Sequence, residues 1–197
     1  MLTLLGKIPL KVYLACSGGI DSMVVLDFLL KGKRDVEVLY YHHNTPHGED
    51  AYLFLKQKLA QLNVVLHSEK YTKSSTTEND WRDARYTFFN KFQDRSIITC
   101  HHLDDNIETW LMSSIKGTPK FIPYSRDNII RPFLLVKKEQ LVQWKDKHNV
   151  QWIEDSSNSE NKYSRNKIRN QVLPVLLEIN PGLHKTFYDK CLSKYDC

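Results

Sequence analysis

The sequence has no apolar run long enough to cross a membrane. A membrane helix needs roughly 20 consecutive apolar residues, and the best run here, at residues 23–30, is short and is interrupted by Asp27. The N-terminus does not resemble a secretory signal, because Lys7 and Lys11 follow the first apolar residues at once. We therefore predict a cytoplasmic protein that makes no membrane contact.

Cysteine is scarce, and its spacing carries no metal signature. The four cysteines, at positions 16, 100, 191 and 197, form no C-x-x-C pair, so neither an iron–sulfur site nor a zinc knuckle is indicated. The 197 residues are 41% hydrophobic and 26% charged, as in a soluble globular chain. The net charge of +5 is compatible with nucleic-acid binding without demonstrating it.

The first half of the chain alternates strand-like and helix-like segments. Apolar runs rich in β-branched and aromatic residues predict strands at residues 11–16, 35–42, 63–67 and 96–100. Segments with helical spacing predict helices at residues 22–30, 49–62, 78–92 and 103–115. Such alternation indicates an α/β fold in which helices cover both faces of a parallel sheet.

The pattern changes after Gly117. Residues 118–131 contain prolines and predict a loop that ends on a short strand at 129–130, followed by helices at 137–148, 163–179 and 183–192. Pro174 is expected to bend or break the second of these helices. We place a nucleotide-binding catalytic domain at residues 1–130 and a helical extension at 131–197.

The sharpest local signal is a loop between the first predicted strand and the first predicted helix. It consists of Ser17, Gly18, Gly19, Ile20, Asp21 and Ser22. Paired glycines let the backbone approach a ligand closely, and consecutive N–H groups at a helix N-terminus attract phosphate. The Walker pattern G-x-x-x-x-G-K-[ST] and the dinucleotide pattern G-x-G-x-x-G are both absent. Asp21 either caps the helix or holds a Mg²⁺ ion that bridges to phosphate.

A second cluster of polar residues, HHLDDNIET at 101–109, follows the fourth predicted strand. Asp105 and Glu108 are three residues apart and share a helix flank, with Asp104 close by. Carboxylates crowded at a helix start invite a cation, either a metal or an ammonium group. The neighbouring histidines make zinc conceivable, although no HExxH or Cys/His spacing supports it.

Together these motifs resemble those of the PP-loop ATP pyrophosphatases. Further segments are similar to the bacterial tRNA(Ile)-lysidine synthases within that superfamily. They are WRDARY at 81–86, IRPFLL at 130–135, EDSSN at 154–158, YSRNKIR at 163–169 and LP at 173–174. The matches cover about residues 11–182, and the RNKIR segment is the most specific of them.

The resemblance implies a PP-loop core and an ATP-dependent ligase. Such an enzyme activates C2 of the wobble cytidine of a CAU-anticodon tRNA(Ile) with ATP and releases pyrophosphate. The amine of free lysine then displaces AMP to give lysidine.

The resemblance also implies a role for individual residues. Residues 17–22 would cradle ATP, with Asp21 on Mg²⁺, and Asp105 and Glu108 would hold the lysine ammonium. Arg82, or Arg85 because the register is open, would stabilise charge at the α-phosphate, and His101 or His102 would contact cytidine or phosphate. The tRNA contacts would come from Lys162, Arg165, Asn166 and Arg169.

The sequence departs from the family pattern in three places. The second strand ends in HNTPHG at 43–48 rather than in H-x-x-H-G with a following Arg, and residues 119–128 contain no Gly. The chain also stops about where the C-terminal tRNA-gripping domains of many members begin, which predicts a minimal form. A PP-loop tRNA thiolation enzyme and a non-catalytic nucleotide- or RNA-binding module remain as alternatives.

Overall fold

A computed structural model gives the three-dimensional structure, and it describes residues 2–72, 77–154 and 164–195. The strands are β1 (Lys11–Ala15), β2 (Asp35–His42), β3 (Leu66–Lys70), β4 (Ser96–Ile98), β5 (Ser125–Arg126) and β6 (Ile129–Ile130). The helices are α1 (Ile20–Lys31), α2 (Pro46–Gln61), α3 (Glu78–Phe89), α4 (Leu103–Ile115), α5 (Lys138–His148), α6 (Ser164–Lys167), α7 (Leu173–Ile179) and α8 (Leu183–Tyr195). A π-helical turn, Ile168–Val172, joins α6 to α7.

The strands form one sheet in the order β3-β2-β1-β4-β6-β5. Every neighbouring pair is parallel except β5 and β6. The centre of the sheet is β1, where Leu14 lies opposite Val38 on one side and Ile98 on the other. This arrangement confirms the predicted α/β class with a parallel sheet.

Alternation along β1 sends its side chains into cores on opposite faces of the sheet. Val12 and Leu14 pack with residues of α1, α2 and α5, while Tyr13 packs with Phe88 and Phe89 of α3. This is the period of two expected for a strand that is buried on both faces. A third cluster joins α4 to α7 and α8 and includes Ile107 and Phe187.

Three segments differ in detail from the sequence prediction. Helix α2 begins at Pro46 because Thr45 caps it, accepting a hydrogen bond from Gly48 N at 3.1 Å. The third strand runs from Leu66 rather than 63, because the turn that closes α2 places Asn63 at a φ of +53°. Pro174 does not end the helical segment, and the π-helical turn immediately precedes the helix that contains it.

Residues on both sides of the predicted boundary at 130 share the same cores. Phe133, Val136 and Leu141 pack in the cluster that contains β1 and α1, and α8 packs on α4. The division at residue 130 therefore stays a prediction. Within the described ranges, none of the helices has the length and apolarity that a membrane span requires.

Candidate active site

The loop at residues 17–22 leads from the carboxyl end of β1 into α1. Gly18 has a φ of +82°, and a Cβ there would lie 3.0 Å from Cγ2 of Ile153. The Gly18 carbonyl accepts a hydrogen bond from Ile153 N at 3.0 Å. Both constraints favour glycine at position 18, and they hold the loop against residues 151–154.

Two serine hydroxyls set the internal shape of this loop. Ser22 is buried and donates to the carbonyl of Gly19 at 2.9 Å, while Ser17 N donates to the Ser22 hydroxyl at 3.2 Å. Gly19 is the N-cap of α1, its N–H donates to the Ser17 hydroxyl at 3.4 Å, and Ile20 is the first residue of the helix. The loop therefore ends at the N-terminus of α1, and N–H groups at a helix N-terminus are suited to bind phosphate.

The negative charge of Asp21 is balanced by two positively charged side chains of the same chain, those of Lys138 and His102. Nζ of Lys138 lies 2.5 Å from Oδ1 of Asp21, and Nε2 of His102 lies 3.7 Å from Oδ2. Burial alone would raise the pKa of the carboxyl, but His102 and Lys138 together lower that pKa to about 2. Asp21 is therefore an anion that already holds a cation beside the loop.

His102 lies between three carboxylates. Its Nε2 lies 3.4 Å from Asp105 in addition to the contact with Asp21, and its Nδ1 lies 3.6 Å from Asp104. The side chain is buried, which by itself lowers its pKa, but these carboxylates raise the pKa to about 10. His102 is thus an imidazolium at neutral pH, and it joins the loop that contains Asp21 to the start of α4.

Asp104 ties the start of α4 to two later helices. Its carboxylate accepts a hydrogen bond from the backbone N–H of Lys138 at 2.8 Å and lies 2.9 Å from Nε2 of His184 on α8. Burial raises its pKa, but His102 and His184 outweigh that effect and hold the pKa far below its usual range. The C-terminal helix therefore contributes a side chain to this cluster.

The carboxylates of Asp105 and Glu108 accept hydrogen bonds from the guanidinium of Arg169. Nε of Arg169 lies 2.7 Å from Oε1 of Glu108, and its Nη2 lies 3.0 Å from Oε2 of Glu108 and 3.1 Å from Oδ1 of Asp105. The Glu108 side chain is fully buried, and burial raises its pKa despite Arg169. Arg165 lies further off, with Nε 3.9 Å from Glu108.

His101 differs from the adjacent His102 in charge, because its pKa is lowered rather than raised. Its Nδ1 lies 3.0 Å from the Thr99 hydroxyl, and burial lowers its pKa to about 4. The positive charges of Arg131, Arg165 and Arg85 act in the same direction. His101 is therefore neutral at neutral pH and can exchange hydrogen bonds without adding charge.

The two arginines of α3 differ in position. Arg85 lies close enough to His43 and His101 to lower the pKa of both, although burial is the larger cause for each. Arg82 is exposed, and its guanidinium lies over the ring of Tyr86 at 5.7 Å. Of the two candidate arginines, Arg85 is the one whose charge lowers the pKa of His43 and His101.

The remaining predicted residues belong to the segment before α7. Arg165 and Asn166 lie on α6, and Arg169 lies on the π-helical turn that packs against α4. Lys162 lies outside the described residues. Arg169, which the resemblance assigned to tRNA, contacts the two carboxylates assigned to lysine, and its role toward tRNA stays a prediction.

Sequence reasoning missed two residues that contact the carboxylates of the site, Lys138 and His184. Lys138 is the second residue of a lysine pair at the start of a predicted helix, and only its nearness to the IRPFLL segment points to a role. Nothing in the sequence distinguishes His184. Among the described residues, no group of three or more His, Cys, Asp or Glu side chains is arranged to hold a metal ion.

Comparison with known proteins identifies a family and a set of relatives. The family described as the PP-loop domain matches residues 6–176. The tRNA(Ile)-lysidine synthase of Haemophilus ducreyi is 37% identical over 187 residues, which cover 88% of this chain and 44% of that protein. The tRNA(Ile)-lysidine synthase of Exiguobacterium sibiricum is 29% identical over 205 residues, which cover 98% of this chain and 49% of that protein. The chain thus spans under half the length of these curated relatives.

A solved structure shares the fold. The U34-tRNA thiolase NcsA from Methanococcus maripaludis, solved with its 4Fe-4S cluster, matches with a TM-score of 0.65 at 15% identity. The match covers 96% of this chain and 74% of that chain. At this identity the likeness is one of fold alone.

Proposed function

Because this chain belongs to the PP-loop domain family, we propose that it is a tRNA(Ile)-lysidine synthase, an ATP-dependent carbon–nitrogen ligase. In the first half-reaction, the C2 oxygen of the wobble cytidine attacks the α-phosphorus of ATP, and pyrophosphate leaves. In the second, the ε-amine of lysine attacks C2, AMP leaves with the former C2 oxygen, and the amine loses a proton. The tRNA(Ile)-lysidine synthases of Haemophilus ducreyi and Exiguobacterium sibiricum, as relatives of this chain, support the proposal.

One observation carries the proposal: His102 contacts both Asp21, 3.7 Å away, and Asp105, 3.4 Å away. The phosphate loop and the carboxylate pair are therefore parts of one cluster, although they lie far apart in the sequence. A site that joins an activated phosphate ester to an amine needs this proximity, because holding the reactants together removes much of the entropic barrier.

ATP would enter with its phosphates on the loop of residues 17–22. The N–H groups at the start of α1 and the Ser17 hydroxyl would hydrogen-bond the phosphate oxygens. Lys138, which now balances Asp21, would supply positive charge at the same place.

The donor set fits a Mg²⁺ ion that is held mainly by its substrate. Asp21 offers a hard carboxylate oxygen, and a lysine ammonium already lies 2.5 Å from it, so this position attracts cations. Magnesium is commonly bound by one or two carboxylates together with substrate phosphates. When bound to Asp21, the ion would neutralise charge on the triphosphate.

The lysine ammonium would bind at Asp105 and Glu108. Arg169 makes three hydrogen bonds to these carboxylates, so the substrate ammonium would replace Arg169 there or share the carboxylates with it. Burial raises the pKa of Glu108, which makes Glu108 the better proton acceptor of the pair. We assign to it the removal of the proton that the amine must lose before attack.

The activated base would lie beside His101. That imidazole is neutral and is oriented by the Thr99 hydroxyl at 3.0 Å, so it can hydrogen-bond cytidine or phosphate. We assign stabilisation of charge at the α-phosphate to Arg85 rather than Arg82, because Arg85 influences His101. The tRNA would also contact Lys162, Arg165 and Asn166, while Arg169 would contact it only after leaving the carboxylates.

The test is transfer of labelled lysine to RNA. The purified chain is incubated with Mg-ATP, labelled lysine and a CAU-anticodon tRNA(Ile) transcript, and the labelled nucleotide is mapped by nuclease digestion and mass spectrometry. A transcript with uridine at the wobble position is the matched control. We expect label on the wobble cytidine and none on the control. Label at another nucleotide, or none with pyrophosphate still released, would contradict the proposed reaction.

A further inference from the structure

An aromatic ring on α3 lies close to two guanidinium groups from different parts of the chain. The guanidinium of Arg126, on β5, lies 5.0 Å from the centre of the Tyr86 ring, and that of Arg82 lies 5.7 Å from it. Each distance is within the range of a cation–π contact. We call Arg82, Tyr86 and Arg126 the arginine–tyrosine surface.

The ring is fixed by the core, while the two cations remain accessible. Tyr86 is half-buried and packs edge-on against Phe89 with ring centres 6.0 Å apart. Arg82 is exposed, and the Arg126 side chain is 55% exposed. Solvent-accessible guanidinium groups thus lie beside a rigid ring, so the ring loses little conformational freedom when a ligand binds there.

The positive charge of this surface is only weakly neutralised. Nε of Arg126 lies 3.7 Å from Asp127, and because both side chains are more than half exposed, the pair contributes little. Among the side chains that the structure describes, Arg82 forms no ion pair. Two positive charges beside one ring create a positive electrostatic potential that attracts an external anion.

The surface adjoins the candidate active site through α3 itself. Trp81 precedes Arg82 in that helix and lies against His43 at the end of β2, with ring centres 5.4 Å apart. Arg85 precedes Tyr86 and influences His43 and His101. The helix therefore carries Arg85, whose charge influences His101, next in sequence to Tyr86 of the arginine–tyrosine surface.

From this placement we infer that the arginine–tyrosine surface binds the single-stranded RNA that flanks the reacting nucleotide, with Arg82 and Arg126 on phosphates and the Tyr86 ring beside an unstacked base. This inference rests on the proposed function, because it takes tRNA as the substrate. Single-stranded nucleic acid is characteristically bound by aromatic rings for its bases and by cations for its backbone. An acidic protein would form ion pairs with the two arginines but would have no base to stack on the ring.

Binding of a short CAU anticodon stem–loop RNA, followed by fluorescence anisotropy over a series of salt concentrations, tests the inference. The R82Q/R126Q variant removes both charges, and Tyr86→Leu removes the ring while keeping apolar bulk. The matched control is K56Q/K147Q, which removes two exposed charges from α2 and α5 on the opposite face of the sheet.

We expect R82Q/R126Q to weaken RNA binding about 10-fold or more and to reduce the salt slope by about one for each phosphate that the variant no longer neutralises. Tyr86→Leu should weaken binding roughly 5- to 150-fold, the usual range for removal of one stacked base. K56Q/K147Q should leave the salt slope close to that of the wild type. The circular dichroism spectrum of R82Q/R126Q should match that of the wild type, which verifies that the variant is folded.

Wild-type RNA affinity and salt slope in R82Q/R126Q would overturn the inference. Equal competition by polyglutamate in the wild type, with no effect of Tyr86→Leu on RNA binding, would also overturn it in favour of an acidic protein. The proposed function is judged separately by lysine transfer in the wild type. If lysine is transferred but R82Q/R126Q binds RNA normally, only this inference fails.

Discussion

Arg169 forms two hydrogen bonds, of 2.7 and 3.0 Å, with the fully buried carboxylate of Glu108. The pair joins the π-helical turn, which contains the end of the RNKIR segment, to α4, which contains most of the HHLDDNIET cluster. π-Helical turns frequently occur at functional sites. A guanidinium thus takes the position at which we place a substrate ammonium, and the two cations would compete for the same carboxylates.

Replacing Arg169 by Ala should uncover the proposed amine site. The buried Glu108 would lose both hydrogen bonds from Arg169 and keep only the more distant Arg165, so the melting temperature should fall. Free lysine should then raise the melting temperature of Arg169→Ala more than that of the wild type, measured by thermal shift without RNA. Norleucine, which has an α-ammonium but lacks the ε-ammonium of lysine, should have no such effect.

Lys167 is the site of the matched control variant, because it is an exposed, positively charged residue on α6, two positions before Arg169. Lys167→Ala should respond to lysine as the wild type does. Equal shifts with lysine and norleucine in Arg169→Ala would contradict the placement of the ammonium at Asp105 and Glu108.

Replacing Glu108 by Gln should weaken the use of lysine and spare the use of ATP. A hydrogen bond to a charged group contributes about 1.5–3 kcal/mol, so KM for lysine should rise roughly 10- to 150-fold. Steady-state lysine transfer at saturating ATP measures this change. Glu178→Gln, an exposed change on α7, is the control, and an unchanged lysine KM in Glu108→Gln would argue against the assignment.

Replacing Asp21 by Asn should abolish most lysine transfer without unfolding the protein. The variant keeps the shape of the side chain but loses the charge that would hold Mg²⁺ beside the phosphates, and we expect activity to fall about 100-fold or more. Circular dichroism verifies that the helices remain. Asp50→Asn, exposed on α2, should be fully active, whereas full activity of Asp21→Asn would exclude a metal role for Asp21.

Stability should depend on pH through His101. Burial lowers its pKa from 6.5 to about 4, so between these values the unfolded chain takes up a proton that the folded chain does not. The free energy of unfolding should therefore fall as the pH drops from 6.5 to 4, by up to roughly 3 kcal/mol from this group. Urea unfolding across that window should show a shallower fall for His101→Gln than for the wild type. Parallel curves would contradict a neutral, buried His101.

Asn106 should be important for joining α4 to the C-terminal helix. It is buried, accepts a hydrogen bond from Ile122 N at 2.8 Å and donates to Cys191 Sγ at 3.1 Å. Asn106→Leu would leave the Ile122 N–H without a partner, which should cost about 1–3 kcal/mol in the free energy of unfolding. Chemical denaturation measures this decrease, and the exposed Asn90→Leu serves as the control.

Local patterns in the sequence predicted the sheet and the position of the phosphate loop. The run KVYLAC is apolar throughout because Val12 and Leu14 enter one core while Tyr13 enters another. The carboxyl ends of parallel strands lie at one edge of the sheet, and because β1 and β4 are parallel neighbours, the motifs that follow them lie at the same edge.

The cations of the site could not be predicted in the same way. Lys138 reaches Asp21 across 117 residues of chain, and Arg169 reaches Glu108 across 61, so both contacts depend on how helices pack rather than on local spacing. His101 and His102 are adjacent and chemically identical in sequence. Only the folded backbone makes one a neutral hydrogen-bonding group and the other an imidazolium among carboxylates.

The internal ion pairs of the site imply that ligand binding is an exchange of ions rather than a simple addition. Asp21, Asp105 and Glu108 each already hold a cation that is covalently part of the chain. An incoming ammonium or metal therefore replaces a tethered charge, and few counterions from solution are taken up or released. Lysine affinity should accordingly vary little with ionic strength, while the binding of RNA, which releases condensed counterions, varies steeply.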